Sequence, residues 1–346
     1  MKVRGGLVFT DELARFAAEC DDARVSAIAE KVAAPLRVAV HGRAGVGRGT
    51  VARALGHAAA APGIMVTPAE GAADVVVQVI AEVVKPEDAE AIAAAGRPVL
   101  TVLNKADLLG SLSGRGGPGP LVRAQHQSAR LAEVVGGPVE PMIALLAVSA
   151  FDGLDATSWT ALRTLGAHPA GLDGSFEEFA AADNPVPADA RLRLLDSLDL
   201  FGTALGVAAV RRGGTPAQVR ALLRRVSGVD AGIARVSALG AGGRYRRVLD
   251  AAAELEALAV GHVNGDRISE FLSGDDTVLA RMAAAVDVAE AAGLDVDGDD
   301  DAAGHLPRAQ RWQRYSRGSA SELHRSCGAD IARGSLRLWS RSRGAA

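Results

Sequence analysis

The stretch VAVHGRAGVGRGTV, residues 38–51, decides how the first half of the chain is read. Pro35 ends a preceding helical pattern, LRVAV (36–40) alternates as a strand, and TVARALGHAAA (50–60) continues with helical spacing. Strand, glycine-rich loop and helix follow one another in the order a phosphate cradle requires. The first N–H groups of a helix lack internal partners and lie at the positive end of its dipole, so they are ready to receive an anion. Gly42 and Gly47 keep the spacing of GxxxxGK[ST], and Gly45 adds a permissive position between them. Arg48 stands at the lysine position, Gly49 at the hydroxyl position, and Thr50 follows. Gly42, Gly45, Val46, Gly47, Arg48, Gly49 and Thr50 are therefore the candidate phosphate-binding residues. Their backbone supplies the cradle. A forked guanidinium attracts phosphate but cannot retrace a lysine's path over the loop.

Outward from this stretch the pattern alternates. GIMVTP (63–68) reads as a short strand, and ADVVVQVIAEV (73–83) as a strand buried on both faces. PEDAEAIAAA (86–95) opens as a helix on Pro86, and RPVLTVLNKAD (97–107) is another buried strand. The loop GSLSGRGGPGP (110–120), a helix near 121–135 and a strand over PMIALLAVSAF (141–151) complete the series. The expected fold class is α/β: a mostly parallel sheet flanked by helices, joined to an α-helical bundle. The expected divisions are an N-terminal helix over 1–34 (one long helix from 11 to 33, capped by Thr10), a nucleotide-binding domain over 35–168, a linker over 169–187 and a helical bundle over 188–346. Within the bundle, Thr215, Pro216 and Gln218 form a marked helix start.

After the third apolar strand stands Asn104-Lys105-Ala106-Asp107, the NKxD box that reads guanine in GTP-binding proteins. A carboxylate at position 107 can accept from both the ring N1–H and the exocyclic amino group of guanine, a donor pair that adenine lacks. Lysine is otherwise scarce, found only at 2, 31, 85 and 105, so Lys105 marks a place where an ammonium on an aliphatic stem is wanted. Ser149-Ala150-Phe151 follows the next apolar stretch and is similar to the SAK loop whose backbone completes a guanine pocket. On these motifs and their order, residues 36 to about 155 resemble a G domain of the translation-factor-related GTPase class. LDLFGTALGVAAVRRGGTPAQVRALLRRVSGVDAGIARV (198–236), RRVLDAAAELEALA (246–259) and the N-terminal helix narrow the resemblance to actinobacterial dynamin-like GTPases of the isoniazid-inducible type. The resemblance implies a stalk formed by the N-terminal helix with C-terminal helices, GTP or GDP as ligand, and a paired dynamin-like GTPase or self-association as partner.

Departures from that family pattern bear on chemistry. Between Thr50 and IMVTPAEG (64–71) there is room for little beyond a helix, so the first switch and its strand are missing. Where DxPG belongs, Val66-Thr67-Pro68-Ala69 offers only the proline. Magnesium therefore loses its usual ligands. Each missing electrostatic group costs about 100- to 1000-fold in rate, so hydrolysis is expected to be very slow or nil while guanine recognition persists on other residues. The expected function is a guanine-nucleotide-binding, dynamin-like pseudo-GTPase acting as a scaffold or companion. Two alternatives stay open: a slow or partner-activated GTPase in which Arg48 and Thr50 substitute, and a nucleotide-free helical interaction protein. A dinucleotide-binding fold fits less well, because Thr50 stands where its third glycine belongs and NKAD has no role there.

Composition sets outer bounds. Nearly half the 346 residues are hydrophobic, enough for a substantial core, and a net charge of −3 provides no bulk field for nucleic acid. Cys20 and Cys327 lie far apart without CxxC spacing, which fits a reducing compartment, and Asp11 and Glu12 interrupt the start before a signal-peptide core forms. A cytoplasmic chain without a transmembrane segment is expected, with peripheral membrane contact left open. The seven histidines show no metal-binding spacing, and His41 at the loop reads as packed or solvated. DVDGDDDAAG (295–304) lacks the turn glycine and final carboxylate of a calcium loop and reads as a solvated acidic segment. Trp312 and Tyr315 read as packing residues of the bundle.

Overall fold

The computed structural model describes residues 5–59, 63–68, 71, 73–110, 117–168, 172, 176–296 and 304–344. It divides into two compact units, one of Arg37–Val236 and one of Met1–Leu36 with Ser237–Ala346.

The first unit is built on β1 (Leu36–Gly42), which leads through the glycine loop into α3 (Arg48–Ala58); α1 and α2 precede it and are described with the second unit. Then come β2 (Ile64–Thr67), β3 (Val75–Ala81), α4 (Pro86–Ala94), β4 (Val99–Asn104), α5 (Pro120–Val135) and β5 (Val139–Pro141). The strands form one five-stranded sheet in the order β2-β1-β3-β4-β5. The pairs β1–β3, β3–β4 and β4–β5 are parallel, with Gly42 opposite Val79 and Ala81 opposite Asn104. This register brings the polar ends of β1 and β4 to the same edge of the sheet. Val75, Val77, Val79, Ile80, Leu100, Val102 and Leu103 are fully buried, which is why β3 and β4 read as unbroken apolar runs.

The expected strand over 141–151 is instead α6 (Ala144–Asp152), which follows the three-residue β5. A short apolar run does not separate a buried strand from a buried helix, and here packing on several sides makes every face apolar. Leu146, Ala147 and Val148 are buried, and Leu146 lies so close to Gly202 that any side chain there would collide with it. Gly202 belongs to α9 (Ala188–Arg211), which follows α7 (Ala156–Ala167) and α8 (Phe176–Ala181). α10 (Pro216–Ser227) starts as predicted: the Gln218 N–H donates to the Thr215 hydroxyl at 3.3 Å and the Thr215 N–H to the Gln218 side chain at 2.9 Å. α11 (Val229–Leu239) follows.

Leu162, Leu165, Leu194, Leu198, Val219 and Leu223 share one core with Ile143 and Leu146. Helices assigned from sequence to a separate bundle beginning at 188 thus cover α6 of the sheet unit, and the compact unit extends to Val236 rather than ending at 168. Part of the expected linker, 176–181, is α8.

In the second unit the N-terminal segment is two helices, α1 (Gly5–Cys20) and α2 (Ala23–Ala33), not one. Asp21 takes a left-handed φ of 49°, and Asp22 accepts the Arg24 N–H at 2.8 Å to cap α2. Thr10 lies inside α1, donating to the Gly6 carbonyl at 2.9 Å, and caps nothing. The other helices are α12 (Ala241–Ala259), α13 (Gly265–Ser273), α14 (Asp275–Ala291), α15 (His305–Gly318) and α16 (Glu322–Gly344). Phe9, Leu13, Val25 and Ile28 share a core with Tyr245, Ile268, Trp312 and Ile331. Buried Asp330 receives the Tyr245 hydroxyl at 2.8 Å and the forked guanidinium of Arg281. Most of the acidic segment 295–304 lies outside the described residues. Among the described residues no helix is long and apolar enough to cross a membrane.

Candidate nucleotide site

In a parallel sheet of order 2-1-3-4-5, neighbouring crossovers diverge between β1 and β3, and a crevice opens at their carboxyl ends. The glycine loop lies there. Gly42, Gly45 and Gly47 have φ of 150°, 86° and 85°, conformations that L side chains rarely adopt. Two of them are also demanded by space. A Cβ on Gly42 would lie 2.8 Å from the Val79 carbonyl oxygen, and one on Gly47 would strike the Asn104 amide. Gly47 is the left-handed residue before α3, so the first amides of that helix, at Arg48, Gly49 and Thr50, have no helical partner. Gly45 and Gly49 face open space, Val46 is buried, and Arg48 is exposed with no ion pair or hydrogen bond to a described residue.

Asn104 joins this loop to the second motif. Its amide donates to the Val46 carbonyl at 2.9 Å, and its side-chain oxygen accepts the Ala144 N–H at 3.1 Å. One buried side chain therefore ties the glycine loop, the end of β4 and the start of α6. The chain then turns sharply. Lys105 takes a left-handed φ of 58° with its side chain exposed, the Ala106 N–H donates to the Met142 carbonyl at 3.2 Å, and Ala106–Leu109 forms a 3-10 turn.

Asp107 on that turn is 7% exposed, and no described residue beyond its own backbone donates to it. Burial, reinforced by the charge of Asp199, raises its carboxyl from the ordinary 3.8 to about 6, against the pull of its own N–H and of Lys105. At neutral pH it is a largely ionised carboxylate short of donors.

Ser149, Ala150 and Phe151 lie elsewhere than a loop. They are within α6, where the Ser149 hydroxyl donates to the Ser197 carbonyl of α9 and Phe151 stacks on His57 at 5.7 Å with the Arg224 guanidinium 5.0 Å from its ring centroid. The helical amides of Ser149 and Ala150 are therefore not a free backbone loop of the SAK kind, which leaves Asn104, Lys105 and Asp107 as the candidate base-binding residues.

Beside the loop opens a cleft of about 680 Å³, walled by Gly42, Arg43, Arg48 and Gly49 on one side and by Thr67, Gln78, Glu87 and Asp88 on the other. Its rigid part escaped the sequence reading. Fully buried Asp88 accepts Arg43 Nε at 3.1 and 3.0 Å, Gln78 Nε2 at 3.2 Å and the Lys85 N–H at 3.0 Å. A lone glutamine inside VVVQVI and an acid three residues past Lys85 were the available signals. This network holds the start of the glycine loop against the start of α4. The resident donors do not fit magnesium held as the family resemblance implies: position 49 has no hydroxyl, β2 ends at Thr67 within a Val66-Thr67-Pro68-Ala69 stretch that has no carboxylate, and Asp88 is committed to Arg43. Among the described residues no group of three or more His, Cys, Asp or Glu could hold a metal.

Comparison of the chain with family models, with curated proteins and with solved structures found no match.

Proposed function

We propose that the Arg37–Val236 unit binds a guanine nucleotide, with its phosphates on the amides of Gly45–Thr50 and its base edge on Asp107. The observation that carries this reading is Asn104. It bonds the glycine loop with one end and the α6 start with the other, which supports reading the loop and the nearly buried carboxylate of Asp107, three residues further on, as parts of one site. Anion binding by the loop needs only backbone, which this sequence retains. Base selection needs one acceptor pair, which Asp107 supplies.

Hydrolysis needs more. With no lysine at 48, no hydroxyl at 49 and no acid within Val66-Thr67-Pro68-Ala69, the chain lacks the usual groups that position a metal and an attacking water, so the protein serves as a nucleotide-holding scaffold or companion rather than an efficient GTPase. The resemblance to dynamin-like GTPases makes an active relative, or a second copy of the chain, the partner class to look for.

Titration of the full chain with fluorescent GDP, GTP and ATP, with and without magnesium, tests the proposal. GDP and GTP bind with similar affinity and far more tightly than ATP, magnesium changes little, and phosphate release stays near background. Equal affinity for adenine and guanine nucleotides overturns the guanine assignment.

A further inference from the structure

We infer that Asp199 is a second base-reading residue, accepting the hydrogen of the guanine 2-amino group that Asp107 leaves free; this rests on the nucleotide reading above.

Three features of α9 support it. The helix is broken at Asp199, whose φ of 57° and ψ of −176° lie in a region nearly restricted to glycine, and such strain concentrates where a side chain must be aimed. The break is also held in place: the Ser149 hydroxyl donates to the Ser197 carbonyl, and Leu198 shares the core that contains Ala106, while Leu109 and Leu200 pack against it. The neighbours of both acids thus belong to one packed cluster, and the charge of Asp199 adds to burial in raising the Asp107 carboxyl. Lastly, Asp199 spends one oxygen on the Leu200 N–H at 2.6 Å, and its other oxygen has no donor among the described residues.

Two acceptor groups so placed call for a ligand edge rich in N–H. Guanine presents three such hydrogens along one edge, one at N1 and two on the amino nitrogen carried by the neighbouring C2. A single carboxylate engages the N1 hydrogen and the nearer amino hydrogen, leaving the third for a neighbour. Hypoxanthine keeps N1–H but lacks the amino group, so it loses one bond to each acid, and the change in the GDP-to-IDP ratio when Asp199 alone is altered isolates the contribution of Asp199. Sites built to bond a polar group discriminate strongly against the analogue without it.

The test measures affinities of GDP, IDP and ADP for the full chain and for Asp199→Gly, Asp199→Asn and Asp107→Asn. Glycine suits the backbone at 199 and removes the carboxylate; asparagine keeps the shape and removes the charge, which guards against misfolding by either variant alone. The unaltered chain is expected to favour GDP over IDP by about 100-fold. Both position-199 variants should lower that ratio by about tenfold, with IDP affinity unchanged and the preference over ADP retained. An unchanged GDP-to-IDP ratio in both variants, with Asp107→Asn still abolishing guanine preference, overturns the role of Asp199 and leaves the nucleotide reading standing. A chain that does not distinguish GDP from ADP overturns both.

Discussion

The two ends of the candidate site are built from different materials. At the phosphate end the useful groups are backbone amides. Gly45 and Gly49 face open space, and the one prominent side chain, Arg48, is exposed and tied to no described residue. At the base end the useful group is a side chain: Asp107 is nearly buried, its charge disfavoured, and its position fixed by the turn that Asn104 anchors. A cradle made of backbone tolerates loss of its lysine and hydroxyl, because helix geometry keeps the amides in place. A reader made of side-chain carboxylates has no such reserve. Loss of catalytic side chains and retention of base recognition are therefore compatible within one fold.

Substitutions that strike the two ends together or separately test that contrast. Gly47→Ala is expected to have the largest effect, since it adds a Cβ against the Asn104 amide at a residue with φ of 85°. Left-handed strain and overpacking together cost about 2–4 kcal/mol. Binding of GDP and ADP should fall in parallel, with a lower midpoint in denaturant; retained GDP affinity would show that the Asn104 link is dispensable.

Asp107→Asn strikes the base end alone, and its effect on stability depends on pH. The folded protein holds the Asp107 proton more tightly than the unfolded chain, so ionisation of this group opposes folding above the folded value of about 6, and the cost disappears below the unfolded value near 3.8. Burial is the largest cause, opposed by the residue's own N–H; of the charged groups, Asp199 raises the value and Lys105 lowers it. At about 1.4 kcal/mol per pK unit, the variant should be more stable by up to about 3 kcal/mol at pH 8 and no more stable than the parent at pH 4. Urea melts at the two pH values check this. A gain of the same size at both would assign it to packing rather than charge.

Arg48→Ala strikes the phosphate end alone and should do least. One exposed cation near a phosphate contributes about 1 kcal/mol, a several-fold weakening that is equal for GDP and ADP and shrinks in high salt. A large, base-dependent loss would mean that Arg48 works at more than the phosphates.

How far these features were legible in the sequence follows from the range of the interactions that create them. The strand-loop-helix unit, β3, β4, the start of α4 and the capping box at Thr215 are local, set by glycine spacing, proline and apolar runs, and the structure places them where the sequence does. α6 was misread because its periodicity is erased by α9 and α10 packing over it, contacts made with residues about fifty to eighty positions downstream. The same long-range packing moved the unit boundary to Val236 and placed Ser149 inside a helix. The break at Asp21–Asp22 went unseen because apolar residues continue on either side of it. At the site, Gly42, Gly47, Asn104 and Asp107 were readable as motif positions, whereas Arg43, Gln78 and Asp88 belong to no short motif and meet only in three dimensions.

Guanine reading by this chain requires that the base donate to the ionised Asp107 carboxylate. NMR titration of the aspartate side-chain carboxyl carbons, with Asp107 assigned by comparison with Asp107→Asn, reads this directly for the free chain and with saturating GDP or ADP. The expected titration midpoint is near 6 in the free protein, moved well down by GDP and unmoved by ADP. The same midpoint in all three states would contradict it.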